Sequence, residues 1–286
     1  MNTTLHCIPC FVRQTLDASR KVANDPAVHE QIMREVLRWM SDMDMSLSPP
    51  ALAQRIHRRL RELTGVADPY REEKDLHNQM ALKLLPELRA QVAASNDPLM
   101  TAAHLAIAGN IIDLGPKSGL DENEIHDALR HASEKPLEGD LIAFRAEVAQ
   151  AKTILYLADN CGEIVFDTLL IEQLGPERVT LAVRGMPIIN DATLEDAVTA
   201  GLDKMVPMIG NGSDAPGTIL DDCNEEFRQA FESADLIISK GQGNFETLSP
   251  CGKNIFYLLK VKCPVVSESV CLPVGTHVLC HGRNFS

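Results

Sequence analysis

The sequence TILYLADNCGEIVFD (153–167) reads as a buried β-strand, a short polar turn and the first turns of a helix. Its first six residues are aliphatic, aromatic or β-branched, which is typical of a strand covered on both faces. Gly162 then precedes a second apolar run that carries Glu163 in its first turn. A strand that leads straight into a helix is the building unit of a parallel sheet, so this segment predicts an α/β fold.

Four more short apolar runs follow in the second half of the chain. They alternate with stretches of helical periodicity and lie at 178–183, 204–209, 235–239 and 263–269. This alternation predicts a mostly parallel sheet flanked by helices, in a domain that spans residues 151–286. Ligands of such sheets bind outside the carboxyl ends of the strands, so the residues after each run are the candidates for chemistry.

The first half of the chain has a different periodicity. Apolar residues recur at spacings of three and four in the segments 27–40, 51–63, 76–88 and 99–115. Aspartate-proline pairs at 25–26, 68–69 and 97–98 are typical of helix starts, with aspartate as the cap and proline in the first turn. Residues 1–150 are therefore predicted to form an α-helical domain.

The composition excludes several classes of protein. The 27 lysines and arginines are outnumbered by 40 aspartates and glutamates, and the formal charge of -13 would repel a nucleic acid. The N-terminal MNTTLHCIPC lacks the pattern of a signal peptide, and no apolar run reaches the ~20 residues that cross a bilayer. Eight cysteines with a single CxxC pair indicate reduced thiols. We expect a cytoplasmic protein with neither a nucleic-acid nor a membrane partner.

Hard oxygen donors follow two of the predicted strands. Asp159 and Asn160 come directly after the first run, and Asp191 lies in the loop after the second. A carboxylate beside a carboxamide suits Mg²⁺, Mn²⁺ or a similar cation. Plainer interpretations are a helix cap for the first pair and an Asx-turn for Asp191. Thr193 and Asp196 have the spacing of a capping box, which leaves Asp191 free to reach a metal.

Two cations and two glycines occupy comparable positions. Arg184 ends the second run, and Lys240 ends the fourth, just before Gly241 and Gly243. Glycines before a helix let backbone N–H groups approach an anion, and a lysine adds a full charge. The alternative is an ordinary glycine-rich turn, and the Walker spacing GxxxxGK[ST] is absent. Together with the oxygen donors, these residues form the constellation that metal-assisted phosphoryl transfer requires.

The CxxC pair of Cys7 and Cys10 has several interpretations. It could be half of a zinc site, a redox pair, or part of a packed helix start that lines a substrate pocket. Further ligands of such a site could come from Cys263, Cys271, Cys280 and His277.

Six segments, in this order, give the chain a specific resemblance to a known family. They are CIPC followed by Gln14, DPYREEK (68–74), AGNIID (108–113), DNCGEIVFD (159–167), RGMPIINDAT (184–193) and KGQGNFETL (240–248). Over essentially its whole length the chain resembles the short prokaryotic branch of the damage-control phosphatases, also known as domain-of-unknown-function family 89. The resemblance implies a helical domain packed on a three-layer α/β domain. It also implies one divalent metal ion, Mn²⁺, Co²⁺, Ni²⁺ or Mg²⁺, held by Asp159, Asn160 and Asp191.

The implied activity is hydrolysis of phosphate monoesters of small metabolites, such as sugar phosphates, nucleotides or related damaged metabolites. The catalytic residues are predicted to be Asp159, Asp191 and Lys240. The predicted substrate-binding residues are Glu163, Arg184, Lys240, Gly241, Gly243, Asn244, Glu246, Asn110 and Asp113. Asn110 and Asp113 share one helix face, and they could equally cap the end of that helix. Water is the expected nucleophile, because the DxDx[TV] pattern of haloacid-type phosphatases is absent.

Two other functions are compatible with parts of the pattern. LADNCGE (157–163) loosely resembles an S-adenosylmethionine-binding loop of a carboxyl methyltransferase. Such a loop requires several glycines, and the second strand should end in an acid rather than in Arg184. A non-catalytic protein could also hold a phosphorylated ligand in the same crevice. The sequence does not identify the substrate, the metal used in the cell or the oligomeric state.

Overall fold

Helices form the N-terminal part of the computed structural model, which describes residues 1–110 and 136–285. They are α1 (Ile8–Val22), α2 (Pro26–Ser41), α3 (Pro49–Thr64), α4 (Arg71–Ala94) and α5 (Pro98–Ala108). Asp25 and Asp97 cap α2 and α5, since their carboxylates accept hydrogen bonds from backbone amides of the first turn. The predicted helices are confirmed, except that α4 begins at Arg71 rather than at Pro69 and α5 ends at Ala108. Residues 111–115 of the predicted segment 99–115 lie outside the described residues. α1 is an addition to the predicted set.

A single sheet runs through the C-terminal part of the described residues. Its strands are β1 (Leu137–Gly139), β2 (Ile154–Leu157), β3 (Val179–Val183), β4 (Met208–Gly210), β5 (Leu236–Lys240), β6 (Ile255–Lys260) and β7 (His277–His281). Their spatial order is β1-β7-β6-β5-β2-β3-β4. Every neighbouring pair is parallel except β6 with β7, which confirms the mostly parallel sheet. The order reverses at β2, between β3 and β5, which places the ligand crevice of the fold at the end of β2.

Helices cover both faces of this sheet. They are α6 (Leu141–Gln150), α7 (Glu163–Leu174), α8 (Leu194–Thr199), α9 (Glu225–Ser233), α10 (Gln242–Leu248) and α11 (Pro264–Val270). One apolar core is formed by helices α4 through α8 and one face of the sheet. A second is formed by helices α9 through α11 and the other face. A third core lies among α1, α2 and α3. The three-layer α/β arrangement with a helical N-terminal part is therefore confirmed.

The run 263–269 is a predicted strand that the structure contradicts. Cys263 caps α11 and Pro264 occupies its first turn, where the missing N–H of proline costs no hydrogen bond. β6 and β7, which the sequence pattern did not indicate, take the place of this run in the sheet. In the run 204–209, only Met208 and Ile209 belong to a strand, because a 3-10 turn occupies Leu202–Lys204.

β1 is a short exception to the helical character of the first half. Its three residues pair with the edge strand β7, so the sheet begins before residue 151. The division of the chain at residue 150 stays a prediction. No helix among the described residues is both long and apolar enough to cross a membrane.

Candidate active site

The loops after β2 and β3 meet at the carboxyl edge of the sheet. Asn160 and Asp191 form an antiparallel bridge between the two loops. The amide of Ala192 donates to the carbonyl of Asp159 across 2.8 Å. The predicted capping box of Thr193 and Asp196 is present at the start of α8, which leaves Asp191 outside the helix. Backbone pairing therefore brings the three predicted metal ligands together.

Three acids and an amide converge at this edge. Nδ2 of Asn160 donates to Oδ2 of Asp159 across 2.9 Å and to Oε2 of Glu163 across 3.3 Å. Asn110, which follows α5, donates to the same oxygen of Glu163 across 3.2 Å. The exposed fraction is 7% for Asp159, 3% for Glu163 and 4% for Asp191. Because burial removes the hydration of carboxylates, a set this close requires positive charge nearby.

The pKa values of Asp159 and Asp191 are raised, and burial is the largest cause for both. Burial raises the pKa of Asp159 well above its usual range, and the carboxylates of Asp191 and Glu163 raise it further. Burial also raises the pKa of Asp191, although Arg184 acts in the opposite direction. Among the described residues, Oδ1 of Asn160 accepts no hydrogen bond. Two carboxylates and an unused amide oxygen are donors that a hard divalent cation prefers, so these residues fit the predicted metal.

Arg184 links these acids to α10. Its Nε donates to Oδ2 of Asp191 across 2.6 Å, and its Nη1 donates to Oδ1 of Asn244 across 3.0 Å. Its Nη2 lies 3.6 Å from Oδ1 of Asp159 and is buried without a hydrogen-bond partner among the described residues. A buried guanidinium N–H without an acceptor is costly, and a phosphoryl oxygen is an acceptor that would satisfy it.

The Lys240 side chain is completely buried beneath the acids. Its Nζ donates to Oε1 of Glu163 across 2.7 Å, to Oδ1 of Asp167 across 2.6 Å and to the carbonyl of Ala106 across 2.8 Å. Burial alone would lower the pKa of Lys240, but Asp167 and Glu163 outweigh burial and raise this pKa. Three acceptors are the full capacity of an ammonium group. A contact between Lys240 and a phosphoryl group stays a prediction that would require one of these bonds to be exchanged.

Gly241 allows Asp159 to lie against the backbone of the loop before α10. Its φ is 81°, and a Cβ at this position would lie 2.0 Å from Oδ2 of Asp159. Its amide donates to the carbonyl of Leu258 across 2.9 Å, so that N–H is not available to an anion. At Gly243 an added Cβ would lie 2.1 Å from the carbonyl oxygen of Pro216. Gly241 therefore allows close packing against Asp159 and Gly243 allows close packing against the backbone of Pro216, and anion binding by them stays a prediction.

Lys262 is a cation close enough to affect the acids, and the sequence pattern does not single it out. Its side chain is exposed, and its charge lowers the pKa values of Asp159, Asp191 and Glu246. Its backbone amide donates to Oε1 of Gln242 across 3.1 Å, which fixes the loop after β6 beside α10. The sequence does contain a signal for Lys262, because this lysine directly follows the apolar run FYLLKV (256–261). The predicted strands do not include that run.

A cavity of about 810 Å³ opens beside the acids, between α1 and the loops of the sheet. Ile189, close to Asp191 in the chain, and Gln242, next to Gly241, both line it. Glu246 lines it as well, and burial raises the pKa of Glu246 to about 7. The cavity is therefore next to the loops that carry the acids and includes Glu246 of the predicted substrate-binding residues, although Asp159, Asn160 and Asp191 do not line it.

Cys7 and Cys10 line the same cavity from the start of α1, and Cys263 lines it from the start of α11. None of the eight cysteines forms a disulfide. Within residues 1–110 and 136–285, no three His, Cys, Asp or Glu side chains are placed to hold a metal ion. The predicted metal site is a different combination, since it consists of two aspartates and an asparagine. A metal or redox role for Cys7 and Cys10 stays a prediction, and Asp113 lies outside the described residues.

Comparisons with known proteins agree with this architecture. The model of the damage-control phosphatase ARMT1-like domain matches residues 3–278. A damage-control phosphatase of Archaeoglobus fulgidus is 38% identical over 278 residues, covering 95% of this chain and 96% of that protein. A damage-control phosphatase of Pyrococcus horikoshii is 34% identical over 285 residues, covering 97% of each chain. An uncharacterized protein of Methanocaldococcus jannaschii is 36% identical over 289 residues, covering 96% of this chain and 93% of that protein.

A solved structure gives the same result in three dimensions. The crystal structure of a DUF89 family protein from Pyrococcus horikoshii superposes with a TM-score of 0.91 at 32% identity, covering 99% of each chain. Fold and site define an α/β protein whose buried acids lie at the carboxyl edge of a parallel sheet. The chain belongs to the damage-control phosphatase family with an ARMT1-like domain, as the sequence resemblance predicted.

Proposed function

We propose that this protein is a divalent-metal-dependent phosphatase that hydrolyses phosphate monoesters of small metabolites in the cytoplasm. The observation that carries the proposal is the buried group of Asp159, Asn160 and Asp191 beside Nη2 of Arg184, which forms no hydrogen bond among the described residues. Such a group pairs donors for a cation with a donor for an anionic oxygen, which are the two needs of phosphoryl transfer. The names of the Archaeoglobus and Pyrococcus relatives support the same class of reaction.

Asp159, Asn160 and Asp191 would hold one divalent ion, Mn²⁺, Co²⁺, Ni²⁺ or Mg²⁺. When bound, the ion supplies positive charge to a phosphoryl oxygen and makes the phosphorus more susceptible to attack. The two aspartates must be deprotonated to act as ligands, so the proposal expects metal affinity to rise with pH. Water is the proposed nucleophile.

The remaining side chains act on the phosphoryl group or on its ligands. Arg184 holds Asp191 through Nε and presents Nη2 to a phosphoryl oxygen. Lys262 supplies a second positive charge from the exposed side of the site. Lys240 fixes Glu163, whose Oε2 accepts from Asn160 and so orients that amide. Lys240 is therefore proposed to be a positioning residue.

The proposal is tested with an aryl phosphate and the purified protein. Activity should vanish with a chelator and return with Mn²⁺, Co²⁺, Ni²⁺ or Mg²⁺. Asp191→Asn should weaken metal binding about tenfold or more, as loss of a ligand charge does, and raised metal should restore part of the activity. The matched control is Asp203→Asn, which replaces an exposed aspartate and should leave metal affinity and activity unchanged.

Each failure has a distinct meaning. Turnover by the chelated, metal-free protein would contradict metal dependence. Wild-type metal affinity in Asp191→Asn, measured by titration calorimetry, would remove Asp191 from the ligand set. Metal binding without turnover of any phosphate ester would favour a non-catalytic phospho-ligand-binding protein.

A further inference from the structure

The cavity beside the acids is much larger than a phosphoryl group. Its volume of about 810 Å³ lies within the roughly 300–1,000 Å³ of small-molecule binding sites. Ile189, on the loop that carries Asp191, and Gln242, next to Gly241, line one side of this space, and α1 lines the opposite side. A substrate whose phosphoryl group is held by the acids would extend across the cavity, and its remote end would meet α1.

α1 has two chemically different faces. Its buried residues are Phe11, Thr15, Ala18 and Ser19, and Phe11 and Ala18 pack in the core shared with α2 and α3. The opposite face lines the cavity with Arg13, Gln14, Asp17, Arg20 and Lys21. These positions recur at spacings of three and four, which places them along one side of a helix. This face of α1 carries three cations and one acid, so it has a local excess of positive charge, although the formal charge of the whole chain is -13.

Two of the three cations have no ion-pair partner among the described residues. Lys21 pairs with Glu73 and lies 5.0 Å from the centre of the Tyr70 ring. Arg13 and Arg20 are exposed, and neither forms an ion pair within the described part of the chain. A guanidinium group presents paired N–H donors whose geometry matches a carboxylate or a phosphate.

The acids in the same wall do not cancel this charge. Asp17 is a single carboxylate between the two arginines on the helix surface. Glu246 lies on α10, where burial raises its pKa to about 7 and Nε2 of Gln242 donates to its Oε1 across 2.9 Å. With Lys21 paired to Glu73, Arg13 and Arg20 face Asp17 and Glu246, so the α1 wall keeps a small net positive charge.

We propose that Arg13 and Arg20 bind a second anionic group of the substrate. The preferred substrates are then phosphate monoesters that carry a carboxylate or another phosphate at the end remote from the hydrolysed bond. This inference rests on the proposed function for the assignment of the hydrolysed end. It makes Arg13 and Arg20 specificity-determining residues, which contact substrate and leave the reacting atoms to the acids at the sheet edge.

The test uses phosphonates, which the enzyme cannot hydrolyse, in titration calorimetry with Mn²⁺ present. Probes with three-carbon and six-carbon chains end in a methyl group, a carboxylate or a second phosphonate. We expect the doubly acidic probes of at least one length to bind about tenfold more tightly than the methyl-terminated probe, a typical gain from a charge-assisted contact. The carboxylate and phosphonate arms show which second group is preferred. Equal binding of all three probes at both lengths would overturn the inference.

Substitutions locate the effect. The double variant Arg13→Gln and Arg20→Gln should lose the preference for doubly acidic probes while it binds the methyl-terminated probe normally. Arg34→Gln is the matched control, since Arg34 is an exposed arginine of α2 that pairs with Glu30. A preference that survives in the double variant, or is lost in the control, would contradict the assignment.

Cys10 supplies a second readout, because it is exposed and lines the same cavity. A bound doubly acidic probe should slow its alkylation by iodoacetamide at least threefold, as followed by mass spectrometry. Cys271 is also exposed but does not line the cavity, so its alkylation should be unaffected. Absence of protection at Cys10 would place the probe elsewhere and overturn the inference. Probe binding and Cys10 alkylation are both measured without turnover. If the protein is not a phosphatase, it will fail to hydrolyse phosphate esters but will still bind the doubly acidic probes more tightly.

Discussion

At the scale of single residues, the chemistry of the site depends on one buried cation. Lys240 contacts Glu163 and Asp167, and the hydroxyl of Tyr156 donates to the same oxygen of Asp167 across 2.8 Å. Burial raises the pKa of Asp167 to about 6 although Lys240 acts in the opposite direction. Buried ion pairs contribute little net stability because desolvation offsets their attraction, but removal of one partner is costly. The main effect of this network is therefore to hold the side chain of Glu163 in a fixed position.

Lys240 and Lys262 are expected to respond differently to replacement by methionine. Lys240→Met leaves Glu163 and Asp167 without their cation, so the free energy of unfolding should fall by about 3–5 kcal/mol. Lys262→Met removes an exposed charge and should change stability by less than about 0.5 kcal/mol. It should instead lower kcat/KM by roughly ten to a thousandfold, the usual cost of a lost charged contact to the transition state. Urea denaturation and steady-state kinetics measure the two effects, and a wild-type kcat/KM would exclude Lys262 from the site.

His57 should make the protein less stable in mild acid. It is buried on α3, its Nε2 has no hydrogen-bond partner among the described residues, and burial lowers its pKa to about 4. The pKa of an unfolded histidine is about 6.5, so between these values the unfolded chain binds a proton that the folded chain does not. The contribution of His57 is complete above pH ~6.5 and decreases by about 3 kcal/mol as the pH falls towards 4.

The variant His57→Gln isolates this contribution. The wild-type stability should fall between pH 7 and pH 5 by about 2 kcal/mol more than the stability of the variant, since glutamine does not titrate. His29→Gln, on α2, is the control and should follow the wild-type curve. Parallel curves for wild type and His57→Gln would mean that His57 is not the group responsible.

At the scale of elements, the site is built from the turns that join strands to helices. β2 leads into α7 through Gly162, and β5 leads into α10 through Gly241; both glycines have positive φ angles. The two strands are adjacent and parallel, so their following turns lie side by side. This placement lets the turn after β5 pack directly against Asp159 of the turn after β2.

Gly241→Ala should disable the site through geometry alone. The new Cβ would lie 2.0 Å from Oδ2 of Asp159, and the backbone would keep a φ of 81° that costs a residue with a Cβ roughly 1–2 kcal/mol. We expect metal affinity and kcat/KM to fall about tenfold or more because Asp159 must move. Gly201→Ala is the control for a positive φ without a clash, since φ is 79° and no described atom lies within 4 Å of the added Cβ. Its ψ of 12° lies in the left-handed helical region and strains alanine less than the ψ of 163° at Gly241 does. Gly201→Ala should lose only stability, and equal activity in the two variants would contradict the proposed contact.

At the scale of the whole molecule, the sequence predicts which residues meet but not which way they face. β2, β3 and β5 are predicted because each is a short apolar run, and the carboxyl ends of parallel strands share one edge of the sheet. The meeting of Asp159, Asn160 and Asp191 follows from this rule. The burial of Lys240 does not follow, because its acceptors on α5 and α7 are defined only by tertiary packing.

The errors along the chain have similar causes. β6 and β7 are joined by α11, and the run in α11 is rich in valine, so local composition favoured the wrong segment as a strand. The sequence pattern does not predict Lys262 as a candidate because this lysine follows β6, which is not among the predicted strands. A residue at a strand end can be predicted only when the strand itself is predicted. The tertiary position of α1, which supplies a wall of the cavity, has no signal in local periodicity.

Polar contacts with Asp214 help to attach the unit of α1, α2 and α3 to the rest of the molecule. The apolar core among these helices is separate from the two cores on the faces of the sheet. Asp214, on the loop after β4, is only 1% exposed and accepts hydrogen bonds from Gln54 across 2.7 Å and from Nε of Arg58 across 2.9 Å. Arg61, also on α3, forms an ion pair with it.

Asp214→Ala should loosen the helical part without dismantling the acids at the sheet edge. Gln54 and the two arginines would lose a buried acceptor, so the free energy of unfolding should fall by about 2–4 kcal/mol. Because α3 packs with α1, amide exchange should accelerate in α1 and α3 more than in β2. The KM for a substrate that spans the cavity should rise, whereas kcat for a small aryl phosphate should stay near the wild-type value.

Asp221→Ala, at an exposed aspartate nearby, should change none of these quantities. Uniform acceleration of exchange in α1, α3 and β2 would show that Asp214 stabilises the molecule as a whole rather than this junction.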